Sequence, residues 1–419
     1  MISVNKRIGS FAVALALAAV AAGCGSDDDG DSTATTASTV ATSTADTTAP
    51  TEETTAPTEA TTAPTTADTA EVTETTGAAG TGDGVTAEGI SDERCEANKA
   101  AGTITYLSSF DFAAAASIID VVVAKDQGYF EAMCLDVEIK PSFSTSNYPL
   151  VAAGQAQFSS AGSYTEILNF STDGAEFVAT IDYGKVPIEA LVTPDGGATA
   201  LADLQGKTIG VKGDLPPSIV ALLAKNGLVR GTDYNEILLD GFDPVAQLAQ
   251  GIDALPVYKS NEPGQLDAAG VKYNLFDPAD EDIPGSFGLI YTSRDFAEAN
   301  PTVVEDFTRA ALHGMEFAIA DPAAAVGISI AEIDAAGNQA FLTEAGETFR
   351  LQQEVAAVQK GTPSDSPIGL IDPDLFKAEY DAYVEAGVWP DGAPEYGEYF
   401  DAAVAAGVYG DDGKVIWPS

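Results

Sequence analysis

The chain has 419 residues, of which 45% are hydrophobic, and 64 acidic residues against 19 basic ones give a formal net charge of −45. This charge repels phosphate backbones, so we expect no nucleic-acid partner. One histidine and three cysteines cannot build a multi-histidine or Cys/His metal site, and nothing around His313 resembles an active-site loop. The composition favours an exported binding protein, with neither metal nor cofactor, over an enzyme.

The first segment has the order of an export signal. Lys6 and Arg7 precede an apolar run over residues 8–22, which is the length of a signal-peptide core and short for a bilayer span. Small residues then lead to Cys24, as in a bacterial lipobox, although Ala21 stands where leucine is commonest. We predict a lipoprotein signal peptide over residues 1–23 and a lipid on Cys24 that anchors the protein to the extracytoplasmic face of the cell membrane. The alternative is an ordinary secretory signal with a chance cysteine.

Residues 24–91 have a composition that cannot form a core. They consist mainly of Thr, Ala, Ser, Pro, Gly and acidic residues, and no aromatic residue occurs among them. Too little apolar surface is available to offset the entropy of ordering, so we predict a disordered acidic tether.

From residue 92 onward, strand patterns alternate with helix patterns. The strands are predicted over Thr103–Leu107, Asp136–Ile139, Gln157–Ser160, Phe177–Ile181, Ile188–Val192, Thr208–Val211, Glu236–Leu239, Ala254–Tyr258, Lys272–Phe276 and Phe287–Tyr291. The helices are predicted over Ala113–Tyr129, Ser218–Lys225, Pro244–Gln250, Gly264–Ala269, Pro301–Ile319, Pro322–Ile333, Gln339–Val358, Pro373–Ala386 and Glu398–Ala406. Alternation of this kind implies βαβ units and parallel sheets covered on both faces.

Two Gly/Pro-rich segments, Thr193–Gly197 and Asp277–Gly285, interrupt this pattern. If the chain crosses between two lobes at both places, residues 196–284 form a second lobe. Residues 92–195 then begin the first lobe, and residues 285–419 return to it and add C-terminal helices. Two α/β lobes joined by such a hinge enclose a cleft that can close on a ligand.

Several segments occur in the order seen in one family. They are residues 104–107, 124–139, 201–211, 251–263 and 300–314, and Asn261, Glu262 and Pro263 match the pyrimidine-binding branch of that family. The chain thus resembles ABC-importer solute-binding proteins related to the eukaryotic thiamine-pyrimidine synthases, which include binders of thiamine precursors, riboflavin, alkanesulfonates, taurine and nitrate. The resemblance implies an α/β fold of the type II periplasmic-binding-protein class, with the ligand cleft between two lobes. It also implies a monomer that delivers a small molecule to an importer permease.

The cysteines depart from this family. The cysteine-rich motif of the synthases is absent, and Cys134 stands where the family usually has glycine. The enzymatic role is therefore not supported. Once Cys24 is lipidated, Cys95 and Cys134 remain in an exported domain, which suggests a disulfide; the alternative is two unpaired buried thiols.

Ligands of open α/β sheets lie beyond the carboxyl ends of the strands. The loops there supply the candidate ligand-binding residues Phe110, Asp111, Phe112, Asn147, Tyr148, Ser163, Tyr164, Asp182, Tyr183, Lys212, Asp214, Tyr258, Asn261 and Glu262. The aromatic rings suggest a stacked flat ligand, although any single ring could equally be a packing residue. Carboxylates, and the lack of arginine in these loops, favour a heterocycle with amine groups, such as a thiamine-pyrimidine precursor. The alternatives are a sulfonate, taurine or nitrate-type anion, and an exported enzyme on the same scaffold.

Overall fold

The computed structural model describes residues 84–171, 175–337, 342–363 and 366–418. The predicted signal peptide, Cys24 and the predicted tether up to residue 83 lie outside the described residues. Within those ranges no single helix is long and apolar enough to cross a membrane, and Pro301–Ala320 with Pro322–Ala336 qualifies only as a pair bent by 117°.

The strands follow the predicted order closely. In chain order they are β1 (Val85–Thr86), β2 (Gly89–Ile90), β3 (Thr103–Leu107), β4 (Asp136–Lys140), β5 (Phe158–Ala161), β6 (Phe177–Gly184), β7 (Glu189–Pro194), β8 (Thr208–Val211), β9 (Asn235–Leu238), β10 (Leu255–Tyr258), β11 (Tyr273–Phe276) and β12 (Phe287–Ser293). The antiparallel pair β1–β2 corrects the predicted tether, because residues 85–90 are ordered here and Val85 is buried in the core of the first lobe.

The helices are concentrated towards the C-terminus. In chain order they are α1 (Asp92–Ala100), α2 (Ile119–Asp126), α3 (Tyr129–Ala132), α4 (Ser144–Ala152), α5 (Tyr164–Phe170), α6 (Pro217–Lys225), α7 (Pro244–Leu248), α8 (Glu262–Ala268), α9 (Arg294–Ala299), α10 (Pro301–Ala320), α11 (Pro322–Ala336), α12 (Glu344–Gly361), α13 (Pro373–Glu385) and α14 (Ala402–Gly407). Short 3₁₀ helices span Leu201–Leu204 and Pro278–Glu281.

The first lobe is built on a five-stranded sheet in the order β4-β3-β5-β12-β6. Strand β3 runs parallel to β4 and β5, whereas β12 runs antiparallel to β5 and β6. The prediction of a parallel sheet is therefore wrong for β12. This strand re-enters the sheet from the second lobe rather than from a crossover helix, so it runs in the opposite direction.

The second lobe contains β7 between β10 and β11, both antiparallel to it, and a parallel pair β8–β9. A bridge between Ile209 and Ala254 joins these two parts. The chain therefore passes between the lobes at residues 185–188 and again at residues 277–286. The first crossing was predicted at Thr193–Gly197, after β7, whereas it lies before β7. The sequence pattern of β7 does not reveal which of the two sheets this strand joins.

Helices α2 and α10 pack closely over the first sheet. A Cβ atom added at Gly314 would lie 2.1 Å from the carbonyl oxygen of Asp120, so only glycine allows this approach. Beneath them, Phe158 and Phe307 stack with ring centroids 4.0 Å apart. The Phe158–Phe307 contact holds α10 on the sheet, and the close approach at Gly314 holds the start of α2 against α10.

Helix α1 is fixed to the first lobe at two points. Cys95 and Cys134 form a disulfide with their Cα atoms 5.3 Å apart. Cys134 has a φ of 59°, a left-handed conformation that explains why glycine would be expected there. Next to the disulfide, the buried carboxylate of Asp306 on α10 accepts hydrogen bonds from Arg94 Nε at 2.7 Å and from Asn98 Nδ2 at 2.7 Å.

Candidate functional site

Side chains from both lobes meet around Tyr258, at the carboxyl end of β10. Desolvation raises the pKa of Tyr258, and the carboxylates of Glu189, Glu166, Glu262 and Glu354 act in the same direction. The residue nevertheless exposes 47% of its surface. A ring that is half exposed and yet surrounded by carboxylates lies in a cleft that is open to solvent. We take this cleft as the candidate site.

Glu189 begins β7 and lies directly beside Tyr258 in the sheet. Its carboxylate accepts a hydrogen bond from the Ser218 hydroxyl at 3.0 Å. Desolvation raises the pKa of Glu189, while this hydrogen bond and Lys259 partly oppose the rise. The second lobe thus presents a carboxylate whose direct side-chain partner is a neutral hydroxyl.

Glu166 is its counterpart on the first lobe. It lies in the first turn of α5, where it accepts hydrogen bonds from the Ser144 hydroxyl and, at 3.3 Å, from the backbone N–H of Gly162. Desolvation raises the pKa of Glu166, and the charge of Glu189 adds to that rise. The two glutamates therefore repel each other across the cleft.

Helix α12 contributes two further carboxylates. Glu347 accepts the backbone N–H of Ala114 at 2.7 Å, and Glu354 accepts that of Ala116 at 3.2 Å. Desolvation raises the pKa of Glu354, although a hydrogen bond from the Ser260 hydroxyl of the second lobe lowers it in part. Helix α12 therefore holds the loop before α2 and also reaches across to the other lobe.

Arg350 lies between these two glutamates on the same helix. Its guanidinium donates to Glu347 at 2.9 Å and to the Asn261 side-chain oxygen at 2.9 Å, and it lies 5.6 Å from the ring centre of Phe110. An arginine therefore reaches the cleft although the loops after the strands contain none. It comes from a C-terminal helix, whereas the sequence prediction considered only the loops at the carboxyl ends of the strands.

Glu262 and Lys212, both predicted ligand contacts, bind each other. Glu262 is 2% exposed, and its other oxygen accepts the backbone N–H of Tyr258 at 2.8 Å. The pair therefore stabilises the loop after β10, and both carboxylate oxygens of Glu262 already accept hydrogen bonds.

The loop after β3 forms the wall of the first lobe. Phe110 and Phe143 meet edge to face at 6.1 Å, and Phe143 is 60% exposed. Asp111 has a φ of 49°, and its carboxylate accepts the N–H of Phe112 at 2.9 Å. The predicted helix from Ala113 is wrong over its first six residues, because α2 begins at Ile119.

Three predicted aromatic contacts are packing residues. Tyr148, Tyr164 and Tyr183 expose 2% or less of their surfaces. Tyr148 stacks on Tyr291 at 4.7 Å, and Tyr164 stacks on Phe376 at 4.1 Å. These rings fill the space between the first sheet and its helices, and their contact with a ligand stays a prediction.

Tyr183 and Asp182 belong to β6, which runs three residues beyond its predicted end. The Tyr183 hydroxyl donates to Asp120 at 2.7 Å inside the core, and Asp182 pairs with Lys185 at 2.6 Å beside the crossing. Both residues were predicted to lie in the loop after β6, but the strand includes them.

Four remaining candidates have local roles. Asn147 is fully buried and donates a hydrogen bond to the carbonyl oxygen of Ser108 at 2.9 Å, which stabilises the loop after β3. Phe112 is 6% exposed within a satellite core, and Ser163 caps α5 by accepting the N–H of Glu166. Asp214 is 79% exposed and pairs with Arg230 of the second lobe.

Glu262 was predicted from the sequence, but the other glutamates of the cleft were missed, although signals existed. Ser163 followed three residues later by Glu166 is the pattern of a helix N-terminal capping box. Glu347, Arg350 and Glu354 share a helix face with the apolar Leu351 and Val358, and all five are buried. Charged residues within a buried stripe require partners on another element, so that face was a candidate for polar contacts.

The profile of the family described as NMT1/THI5 like matches residues 115–325. Riboflavin-binding protein RibY of Chloroflexus aurantiacus is 28% identical over 238 residues, which cover 54% of this chain and 64% of that protein. The formylaminopyrimidine-binding protein of Halalkalibacterium halodurans is 28% identical over 221 residues, covering 51% of this chain and 66% of that protein. This chain therefore spans slightly less than two thirds of either relative.

Solved structures share the architecture. The periplasmic sulfonate-binding protein SsuA from Methylobacillus flagellatus KT has a TM-score of 0.53 at 17% identity, over 73% of this chain and 92% of that one. At this identity the likeness concerns the fold, and it confirms the two-lobe type II periplasmic-binding-protein fold predicted from the sequence. Since the family profile covers half of the chain, including every strand from β4 to β12, this protein belongs to the NMT1/THI5-like family.

Proposed function

We propose that the protein is the solute-binding component of an ABC importer and binds a small heterocycle carrying amine or ring N–H groups, such as a thiamine-pyrimidine precursor. The carboxylate–aromatic cluster around Tyr258 carries this proposal. Among the described residues, Glu166, Glu189 and Glu354 take part in no ion pair, since their partners are hydroxyls and backbone N–H groups. Amine hydrogens of a ligand would supply the donors that these carboxylates need, and Tyr258 would stack on its ring.

An anionic ligand fits this cluster poorly. Two like charges about 5 Å apart repel by about 3 kcal/mol at an effective dielectric constant of roughly 20. Arg350, the arginine of the cleft, is already bonded to Glu347 and Asn261. The names of the two curated relatives, a riboflavin binder and a formylaminopyrimidine binder, support the heterocycle over a sulfonate.

We further propose that the ligand is bound without chemical change. His313, the only histidine of the chain, lies on α10 with its ring 4.4 Å from Trp417 and 4.4 Å from Tyr129. These contacts belong to the packing of the C-terminal segment. Incubation with the ligand should therefore return it unaltered, and a modified product would overturn this proposal.

Closure of the cleft would occur about residues 185–188 and 277–286, where the chain passes between the sheets. A ligand that contacts both lobes shifts the population towards a closed form through its differential affinity. Small-angle scattering of protein lacking residues 1–83 should show a smaller radius of gyration at saturating ligand. An unchanged radius would contradict closure.

The anchor remains a proposal based on the N-terminal sequence. Replacement of Cys24 by serine should release the protein into the medium, because the lipid would no longer be attached. Membrane retention and unchanged processing of Cys24→Ser would show that this segment is not a lipobox.

The ligand proposal is tested by mass spectrometry of small molecules released from the purified protein. Calorimetry with aminopyrimidines, riboflavin, taurine and ethanesulfonate should then follow. We expect saturable binding of an amine-bearing heterocycle. Tight sulfonate binding without any response to heterocycles would overturn the proposed ligand class.

A further inference from the structure

The backbone donors before α2 are already occupied. N–H groups that lead into a helix are common binding groups for anionic ligands. In this protein the N–H of Ala114 donates to Glu347 at 2.7 Å, and the N–H of Ala116 donates to Glu354 at 3.2 Å. Glu347 is 1% exposed and Glu354 is 4% exposed, so both carboxylates are inserted into the protein. The chain's own carboxylates therefore occupy both N–H groups.

The same two carboxylates connect the lobes. Glu347 holds Arg350, which donates to Asn261 of the second lobe at 2.9 Å. Ser260 of the second lobe partly lowers the pKa of the Glu354 carboxyl. A ligand that bridges the lobes must make contacts of this kind. Helix α12 lies beyond residues 115–325, so this arrangement is outside the segment that matches the family profile.

We propose that Glu347 and Glu354 are specificity-determining residues. They occupy the N–H donors of the cleft with the chain's own carboxylates, exclude anionic ligands and leave the site to neutral and cationic ones. This inference rests on the proposed function in one respect only, namely that the cleft is the ligand site.

The physical reason is competition at high effective concentration. A carboxylate held on α12 rebinds its N–H donor faster than a free anion can, because its local concentration is about millimolar or higher. An incoming anion would also have to approach Glu166 and Glu189, which carry the same sign of charge. A ligand with N–H groups meets neither obstacle, because it can donate to carboxylates that keep their own bonds.

The test uses the full chain and ethanesulfonate as the anionic probe. Dimethyl sulfone serves as its uncharged counterpart. The variant Glu347→Ala/Glu354→Ala vacates both positions and frees both N–H groups, and Glu347→Gln/Glu354→Gln removes the charges while keeping acceptors of the same shape. Glu344→Ala is the matched control, because Glu344 is an exposed acidic residue in the first turn of the same helix.

Calorimetry should give at least a tenfold gain in ethanesulfonate affinity for the alanine variant relative to wild type, with little change for dimethyl sulfone. The glutamine variant should gain less, and the control should not change. The inference is overturned if wild type binds ethanesulfonate as tightly as the alanine variant does. If the alanine variant fails to fold, the glutamine variant decides alone, and no gain there overturns the inference. Heterocycle binding by wild type is measured separately, so failure of the proposed function is recognised independently.

Discussion

Two groups of buried carboxylates in this protein have opposite surroundings. Where α1 meets α10, Asp306 is fully buried and bonded to Arg94 at 2.7 Å and to Arg309 at 3.3 Å. Glu305, beside it, pairs with the same two arginines at 3.1 and 2.8 Å. Both Glu305 and Asp306 are thus paired with arginines, and Cys95 of the Cys95–Cys134 disulfide lies on the same helix as Arg94.

Three carboxylates of the cleft have no such cations, whereas Glu262 and Glu347 pair with Lys212 and Arg350. Glu166, Glu189 and Glu354 bond to serine hydroxyls and backbone N–H groups, and desolvation raises the pKa of each. Burial of a carboxylate without a cation costs free energy, so stability does not explain this arrangement. The chain has only 19 basic residues, and it uses two of its arginines where α1 meets α10. For these two groups we infer that the paired carboxylates serve the fold and the unpaired ones serve the ligand.

The largest expected effect comes from breaking the paired group. Asp306→Ala removes the fully buried carboxylate that Arg94 and Arg309 share, although both still pair with the partly exposed Glu305, so it should lower the free energy of unfolding by about 3 kcal/mol, the lower end for breaking a buried ion pair. Urea denaturation at neutral pH measures this. The control Asp381→Asn removes an exposed partner of Lys377 and should cost no more than about 1 kcal/mol. Similar losses in both variants would show that the buried network contributes no more than a surface pair.

Asp120 tests a buried carboxylate that lies in the core rather than in the cleft. Burial raises its pKa to about 7, despite the hydrogen bond from Tyr183. The native state therefore holds this proton more tightly than the unfolded chain does, whose aspartates titrate near 4. Stability is then lost as pH rises from about 4 to about 7, by at most about 2–4 kcal/mol.

Asp120→Asn should remove that loss, because the amide carries no charge at either pH. Urea midpoints at pH 5 and pH 8 measure the effect, and wild type should lose more stability than the variant between them. Parallel pH profiles of wild type and Asp120→Asn would contradict the raised pKa.

Much of the fold was predictable because its signals are local. Alternating apolar residues identified the strands, and the carboxyl-end rule led to Tyr258 and Asn261 at the cleft. The direction of β12 and the lobe of β7 were not predictable. Both depend on which strand the chain joins after crossing between lobes, and an apolar run such as Ile188–Val192 suits either sheet.

The carboxylates of the site were less accessible to sequence reasoning. Glu347 and Glu354 lie more than 200 residues beyond the loop that they hold, and helical periodicity does not say which element a buried face contacts. The aromatic candidates show another difficulty. Tyr148 and Tyr164 follow strand ends as ligand contacts do, yet large rings there also serve to pack helices onto the sheet.

Glu189 gives the sharpest test of the unpaired group. Glu189→Gln should weaken binding of an amine-bearing heterocycle by about 1.5–3 kcal/mol, the usual contribution of a charge-assisted hydrogen bond. Since desolvation raises the pKa of Glu189, the affinity of wild type should fall as pH is lowered and the carboxylate is protonated. The variant should show a flatter pH profile, which calorimetry between pH 5 and pH 8 would measure.

Glu262→Gln is the comparison within the same cleft. Its oxygens already bond to Lys212 and to the N–H of Tyr258, so its effect on ligand affinity should be smaller than that of Glu189→Gln. Equal losses of affinity in the two variants would remove the distinction between paired and unpaired carboxylates.

The smallest expected effect concerns the ring at the centre of the unpaired group. Tyr258→Ala should weaken heterocycle binding by about 1 kcal/mol, because stacking of two aromatic rings contributes about 0.5–1.5 kcal/mol beyond buried area. Tyr258→Phe keeps the ring and removes only the hydroxyl, so it should retain most of the affinity. Tyr258 exposes 47% of its surface, so neither change should lower the free energy of unfolding by more than about 0.5 kcal/mol. If Tyr258→Phe loses as much affinity as Tyr258→Ala, the hydroxyl rather than the ring holds the ligand, and the glutamates around it act through that hydroxyl.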